Sequence, residues 1–394
     1  MSQQVHSEET KVSPLYDPKV RGIVFQIVLT CLVVFFIYEA FSNAAENLQK
    51  AKIASGFGFW DNIAGFDIGQ RLIAYSAEST YGRAFWVGLL NTLLVSSLGI
   101  VFATIVGFLI GIGRLSKNRI INFIATLYVE IFRNTPLLLQ LLFWYNAVLK
   151  ALPEVRDSAK LGENIYLNNR GLFMPQPVFG EAWPVVNWAF LIAIGGAIAY
   201  RHFARKKQEQ TGQQSPVLLV TLGLIIGLPL IAYFLAGQPL SFNIPAATRF
   251  NIAGGMQIYP EFVALLVGLV IYTGAFIAEV VRAGIQSVYK GQTEAAYALG
   301  LRPGPTLRLV VIPQAMRVII PPLTSQYLNL TKNSSLAVAV GYPDLVQVFT
   351  GTVLNQTGQA VEVVAITMLV YLTISLTTSL LMNWYNARKS LVER

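Results

Sequence analysis

Apolar runs of roughly membrane-spanning length recur along almost the whole chain, separated alternately by stretches rich in arginine and lysine and by stretches, at 43–85, 151–183, 237–257 and 333–359, that are mixed in charge or nearly uncharged. Eight such runs are found, roughly at 22–42, 86–113, 120–150, 184–203, 216–236, 258–283, 315–332 and 360–385. They predict an all-α polytopic membrane protein with about eight transmembrane helices. The first run, Gly22 to Ser42, is too long for a signal-peptide core and follows a polar, partly basic leader, so it reads as a retained span. Inside 120–150, Thr135-Pro136 reads as a helix start, with Thr as N-cap and Pro at the first helical position. Residues 120–134 then form a helix at the membrane face that turns into the span. The run 184–203 has two readings. Trp183, Trp188, Tyr200 and His202 suit a peripheral helix at the interface, whereas pairing with 216–236 suits a spanning hairpin and keeps the downstream orientation consistent.

Composition supports the membrane reading, since hydrophobic residues make up 54% of the chain and charged residues 12%. Loop charge sets an orientation, because lysine and arginine favour the cytoplasmic side. The leader carries Lys11, Lys19 and Arg21, and the turn after the second run carries Arg114, Lys117 and Arg119. Arg201, Arg205, Lys206 and Lys207 follow the fourth run, and Arg282, Lys290, Arg302, Arg308 and Arg317 follow the sixth. Both termini are therefore expected in the cytoplasm of a bacterial inner membrane, with Arg388, Lys389 and Arg394 at the end. The net charge of +9 is mostly this bias, and its scatter over separate loops argues against a nucleic-acid partner. A lone Cys31 excludes a disulfide framework, and His6 and His202 form no metal-ligand pattern. There is no G-x-x-x-x-G-K-[ST] phosphate cradle, no G-x-S-x-G and no zinc-ligand cluster, so neither a catalytic residue nor a bound cofactor is expected.

The densest signal lies between the sixth and seventh runs. Gly291 precedes a short helix-competent segment, Gln292 to Leu299; Gly300 suits a left-handed stop, and Pro303 and Pro305 oppose continuation. Ala295 with Leu299, and Ala296 with Gly300, are four apart, so small residues share a flank that lets another surface approach. Glu294 adds a charge in the first turn. Such a knob suits a cleft in a partner protein, and Gly291, Gln292, Glu294, Ala295, Ala296 and Gly300 are its candidate docking residues.

Elsewhere, Glu130 and Arg133, and Glu279 and Arg282, are three apart and are read as structural ion pairs near the inner surface. Asn91, Thr92, Gln140, Asn329 and Thr331 are polar groups inside runs that either line a pathway or bridge helices. Lys332 lies about fifteen residues beyond Arg317, ~22 Å further along a helix. It either snorkels to the opposite interface or faces an internal pathway.

A family resemblance follows from these residues. The strings Ala278 to Ile285, Gly291-Gln292, Glu294 to Gly300, Ile312-Pro313-Gln314-Ala315, Ile319-Ile320-Pro321-Pro322, Lys332 to Leu336 and Phe132 to Gln140 resemble polar amino-acid permeases of the histidine/glutamine ABC importers. The resemblance covers about residues 86–150 and 258–385, with Asn333 where such permeases usually have Asp. It implies a five-helix permease core over 86–150 and 258–385, with an ATPase-docking loop at 284–314. Around that core lie cytoplasmic tails at 1–21 and 386–394, an extra N-terminal span and periplasmic loop at 22–85, and a two-span insertion at 151–257. The extra segments look like the longer membrane subunit of general L-amino-acid transporters. The resemblance further implies a second permease subunit, two copies of an ABC ATPase that hold ATP and Mg2+, a periplasmic amino-acid-binding protein and surrounding lipid.

Two other function classes compete with the importer subunit. A secondary amino-acid carrier driven by an ion gradient normally shows inverted repeats and broken helices around a midplane site, and no convincing inverted repeat is present. A structural scaffold would tolerate changes across 291–300 without effect on uptake.

Overall fold

A computed structural model describes residues 18–50, 55–248 and 251–389. His6 and Lys11 of the leader and Arg394 of the tail lie outside the described residues. The helices are α1 (Pro18–Lys50), α2 (Tyr81–Gly113), α3 (Arg119–Asn134), α4 (Leu137–Leu149), α5 (Trp183–Thr211) and α6 (Val217–Leu235). They continue with α7 (Pro260–Gln286), α8 (Lys290–Ala298), α9 (Pro303–Ala339), α10 (Val346–Val353) and α11 (Ala360–Lys389). Seven helices among the described residues are long and apolar enough to cross a membrane, and α4 is a shorter apolar one.

The predicted span 120–150 is therefore two pieces. α3 is amphipathic, and it stops at Thr135, which is its C-cap with extended backbone. The Thr135 hydroxyl donates backward to Ile131 O at 2.8 Å instead of capping the next helix, and Pro136, not Thr135, precedes the first turn of α4. A residue before proline is driven out of the helical region, so the break falls one residue before the proline. The seventh predicted span also changes: Pro303 starts a new helix at once, and α9 runs from there to Ala339. Proline fits the first helical turn, where its missing N–H costs no bond.

The chain forms two compact units. The first takes in Met1–Leu90 and Pro343–Leu376. Its core is aromatic: the Trp60 ring lies 5.2 Å from Phe85 and 6.0 Å from Phe349, over a floor of Phe59, Val348 and Val353. Asp344 is buried at the start of α10, where its carboxylate accepts from the Gln347 N–H at 2.8 Å and the Tyr371 hydroxyl at 3.0 Å.

The second unit takes in Asn91–Tyr342 and Thr377–Arg394. Its core gathers Val95, Leu141, Leu265, Ile277, Ile319 and Leu330. In α2, Gly107 and Gly111 are spaced four apart, and a Cβ on either would run into Ile277 or Ala278 of α7. Absent side chains let the two backbones touch, as small residues do between helices in lipid.

The loops that flank the α5–α6 hairpin hold short strands that the long apolar runs give no hint of. Strands β1 (Ala159–Lys160), β2 (Tyr166–Asn168), β3 (Gly171–Met174), β4 (Gln176–Phe179), β5 (Leu240–Asn243), β6 (Ala246–Ala247), β7 (Ile252–Ala253) and β8 (Met256–Ile258) form three small antiparallel sheets. The four-stranded sheet runs β1-β2-β3-β8, with Leu172 opposite Ile258; β4 pairs β5, with Phe179 opposite Leu240. Alternate burial along β2 and β3 places Tyr166 and Phe173 against Ile252. The long apolar segments are helical as expected, and the strands lie in the stretches before and after the α5–α6 hairpin.

Candidate functional site

The docking segment forms a separate short helix, Lys290–Ala298, two residues earlier at its start than the sequence reading. Its end carries two capping bonds, Gly300 N–H to Tyr297 O at 2.9 Å and Leu301 N–H to Ala296 O at 3.1 Å. This is the Schellman pattern, which requires a left-handed residue after the last turn. Gly300 supplies it with φ of +80°. Behind the helix, Ala296 is buried where α8 packs on Leu307–Val311, and the Gln314 side-chain amide donates to Gln292 Oε1 at 3.4 Å. In front, Glu294, Ala295, Ala298 and Gly300 are exposed, flanked by Tyr297 and by Leu299, whose surface is 83% exposed. Ala296 thus packs inward, whereas Tyr297 and Leu299 are outward apolar residues that stand outside the six docking candidates. Their signal was the i, i+2 pair of bulky residues beside the alanines.

Close to α8 in sequence, Glu279 of α7 is the hub of an ion-pair network. It accepts from Arg282 on its own helix and from Arg114 in the turn just after α2, and Arg133 of α3 lies 3.9 Å away. Glu130 faces Arg114 at 3.9 Å. Glu130 and Arg133 therefore do not pair with each other; each reaches to another helix, and three helix ends are tied together. Helix packing overrides local spacing here, because α3 lies against α7. Arg133 also stacks over the Phe276 ring, 5.2 Å from its centroid.

Phe276 opens onto a cleft of about 280 Å³ between α7 and α9, with Tyr272, Thr273, Gln326, Asn329 and Asn333 as its other walls. Gln326, Asn329 and Asn333 sit at i, i+3 and i+7 on one face of α9, so three carboxamides look into the cleft across two aromatic rings 4.9 Å apart. Carboxamides both donate and accept, and the lining is uncharged. Such a wall can hydrogen-bond an ammonium and a carboxylate in turn.

Of the residues singled out as possible pathway lining, the structure brings only Asn329 to this cleft. Asn91 and Thr92 are fully buried, and Asn91 O accepts from the Tyr342 hydroxyl at 3.0 Å. Gln140 is buried and its amide donates to Phe132 O and Thr135 O, both at 3.0 Å, clamping the α3–α4 joint. Thr331 is buried and bonds back to Tyr327 O at 2.9 Å. Lys332 is exposed at the end of the regular part of α9, one residue off the carboxamide face. Tyr272, Thr273, Phe276 and Gln326 were not singled out and Asn333 was noted only as a departure from the family pattern; for the residues of α9, the carboxamide spacing on a proline-containing helix was the available signal.

A multi-pass helical membrane protein with a capped knob between two core helices and a polar cleft on those same helices is built as a transport subunit. The chain belongs to the binding-protein-dependent transport system inner membrane component family, whose pattern matches residues 99–391. It is 54% identical over 382 residues to the general L-amino acid transport system permease protein AapQ of Rhizobium johnstonii, covering 97% of this chain and 95% of that one. It is 53% identical over 378 residues to the putative amino-acid ABC transporter permease protein YhdX of Escherichia coli, covering 96% of each. Among solved structures, the crystal structure of an amino acid ABC transporter with histidines aligns with a TM-score of 0.47 at 23% identity, over 78% of this chain and 95% of that one.

Proposed function

We propose that this chain is the longer membrane subunit of an ABC importer for L-amino acids, and that it forms the translocation pathway with a second, paralogous permease. Two copies of a separate ATPase hold ATP and Mg2+, and a periplasmic binding protein delivers the substrate. Both termini and α8 face the cytoplasm. The observation that carries this reading is α8: a short helix capped at a left-handed glycine, held from behind and bare in front, in a chain of the binding-protein-dependent family.

The route from docking to transport follows from chain connectivity. α8 joins α7 through three residues, and the chain re-enters helix at Pro303 after four. Because α8 also packs on Leu307–Val311, a push on it moves α9, whose Gln326, Asn329 and Asn333 face the cleft. Closure of the ATPase dimer then selects between two arrangements of α7 and α9, one with the cleft open to the outside and one to the inside. The uncharged carboxamide wall suits a zwitterion that must bind and leave.

The test is reconstitution of the full complex in proteoliposomes, with uptake of a panel of labelled L-amino acids measured against internal ATP. Uptake that needs both ATP and the binding protein is expected. Uptake that persists without the ATPase and collapses with a proton or sodium gradient would favour the carrier instead.

A further inference from the structure

The α5–α6 hairpin has no part in the docking site or the cleft, yet it encloses a groove of about 470 Å³, within the range of ligand pockets. Ile194 and Ile198 of α5 and Leu218, Thr221 and Ile225 of α6 line it, and Arg201 is its one charged lining residue. Ile194, Ile198 and Arg201 are spaced four and three apart, so one face of α5 turns from apolar to cationic over about 10 Å. The opposite wall includes a π-helical turn at Gly223–Gly227, within which Ile225 lies. Such bulges often mark functional positions.

Charge around the mouth has one sign. From Ala197 to Leu235 the chain carries Arg201, Arg205, Lys206 and Lys207 against a single acid, Glu209. That acid is engaged by Arg205 at 3.1 Å. Among the described residues no carboxylate pairs with Arg201. Both helices are long and apolar enough to cross a bilayer, so the groove opens where acyl chains are the available occupant and phosphate headgroups lie level with the basic turn.

We propose that the hairpin binds one anionic phospholipid, with an acyl chain in the groove and the headgroup phosphate on Arg201. The site is a retained ligand position, not the passive shell of lipid that any span carries. It does not depend on the transport reading, because it requires only that α5 and α6 lie in the membrane.

The full-length chain, purified in mild detergent, is delipidated, offered phosphatidylglycerol or phosphatidylcholine, and weighed intact by native mass spectrometry. One tightly held phosphatidylglycerol per chain is expected, with phosphatidylcholine lost under the same activation. Arg201→Gln should lower phosphatidylglycerol occupancy about fivefold, as loss of one basic contact to an anionic lipid does, and Arg201→Lys should retain most of it. A photoreactive phenylalanine placed at Ile198, which is 66% exposed, should form lipid adducts in native membranes. Equal retention of the two lipids, unchanged occupancy in Arg201→Gln, or a protein adduct at position 198 would overturn the proposal.

Discussion

Replacing Gly300 by valine isolates the role of one backbone angle. The residue sits at φ of +80°, and a Cβ built on it meets nothing within 4 Å, so the penalty is backbone strain and not a clash. An L-residue in the left-handed region costs about 1–2 kcal/mol, and a β-branched one lies at the upper end. Two capping bonds, at 2.9 and 3.1 Å, depend on that turn. If the docked state needs it closed, Gly300→Val should weaken ATPase attachment roughly 5- to 30-fold, the factor that such an energy implies. Asparagine tolerates the same region, so Gly300→Asn should bind nearly as wild type does. The assay is capture of detergent-solubilised permease on immobilised ATPase over a concentration series, with membrane level and amino-acid uptake measured in parallel. Because Gly300 is exposed, both variants should insert normally. Equal affinity of the valine and asparagine variants, with uptake intact, would refute the idea that the capped turn is what the ATPase grips.

Orientation is checked in a Cys31→Ser background: Gln208→Cys and Ala298→Cys should resist a membrane-impermeant maleimide in intact cells, and Ala159→Cys should react. Gln208 is chosen over the nearby Ala204 because Ala204 is buried and would be silent from either side. Lys332→Met should cut uptake and substrate-stimulated ATP hydrolysis at normal expression, and Lys332→Arg should keep more of both; normal values for the methionine variant would make Lys332 an interface anchor. Gln326→Leu or Asn329→Leu should raise the substrate concentration for half-maximal uptake by about tenfold, as loss of one hydrogen bond to a charged group does, while ATPase capture stays unchanged. Asp344, in the connection between two spans, is pushed by burial from 3.8 up to about 7. Its native state therefore binds the proton more tightly than the unfolded chain, and the resulting stability is present at low pH and lost as pH rises from about 4 to 7. Asp344→Asn should raise the melting temperature near pH 8 and leave it unchanged near pH 4; an equal shift at both would contradict this.

The helical spans and the short capped helix were legible in the chain because each rests on local physics: apolar length for the spans, and a glycine between a helix-competent run and prolines for the capped helix. What escaped was set by contacts distant in sequence. Glu130 looks like the natural partner of Arg133 until α3 is placed against α7, and then both reach across. Gln140 reads equally as a pathway group or a bridge between helices, and its amide is in fact consumed by the carbonyls that the α3–α4 break leaves open. The strands of the insertion are two to four residues long, too short for a local period to expose them, and β4 with β5 and β3 with β8 pair across the whole intervening hairpin. The cleft was partly visible, since Asn329 was named as a pathway candidate and Asn333 only as a departure from the family pattern, while Gln326 was not named.

The pairing of β4 with β5 and of β3 with β8 closes the chain on itself at both ends of the hairpin. Everything between Phe179 and Leu240 thus leaves and returns through one paired neck. Material held by such a neck can grow, shrink or vanish while the flanking helices keep their positions, because longer closed loops cost only slightly more entropy than shorter ones. The hairpin is in that sense a cassette, fastened to the rest of the chain at a single paired neck.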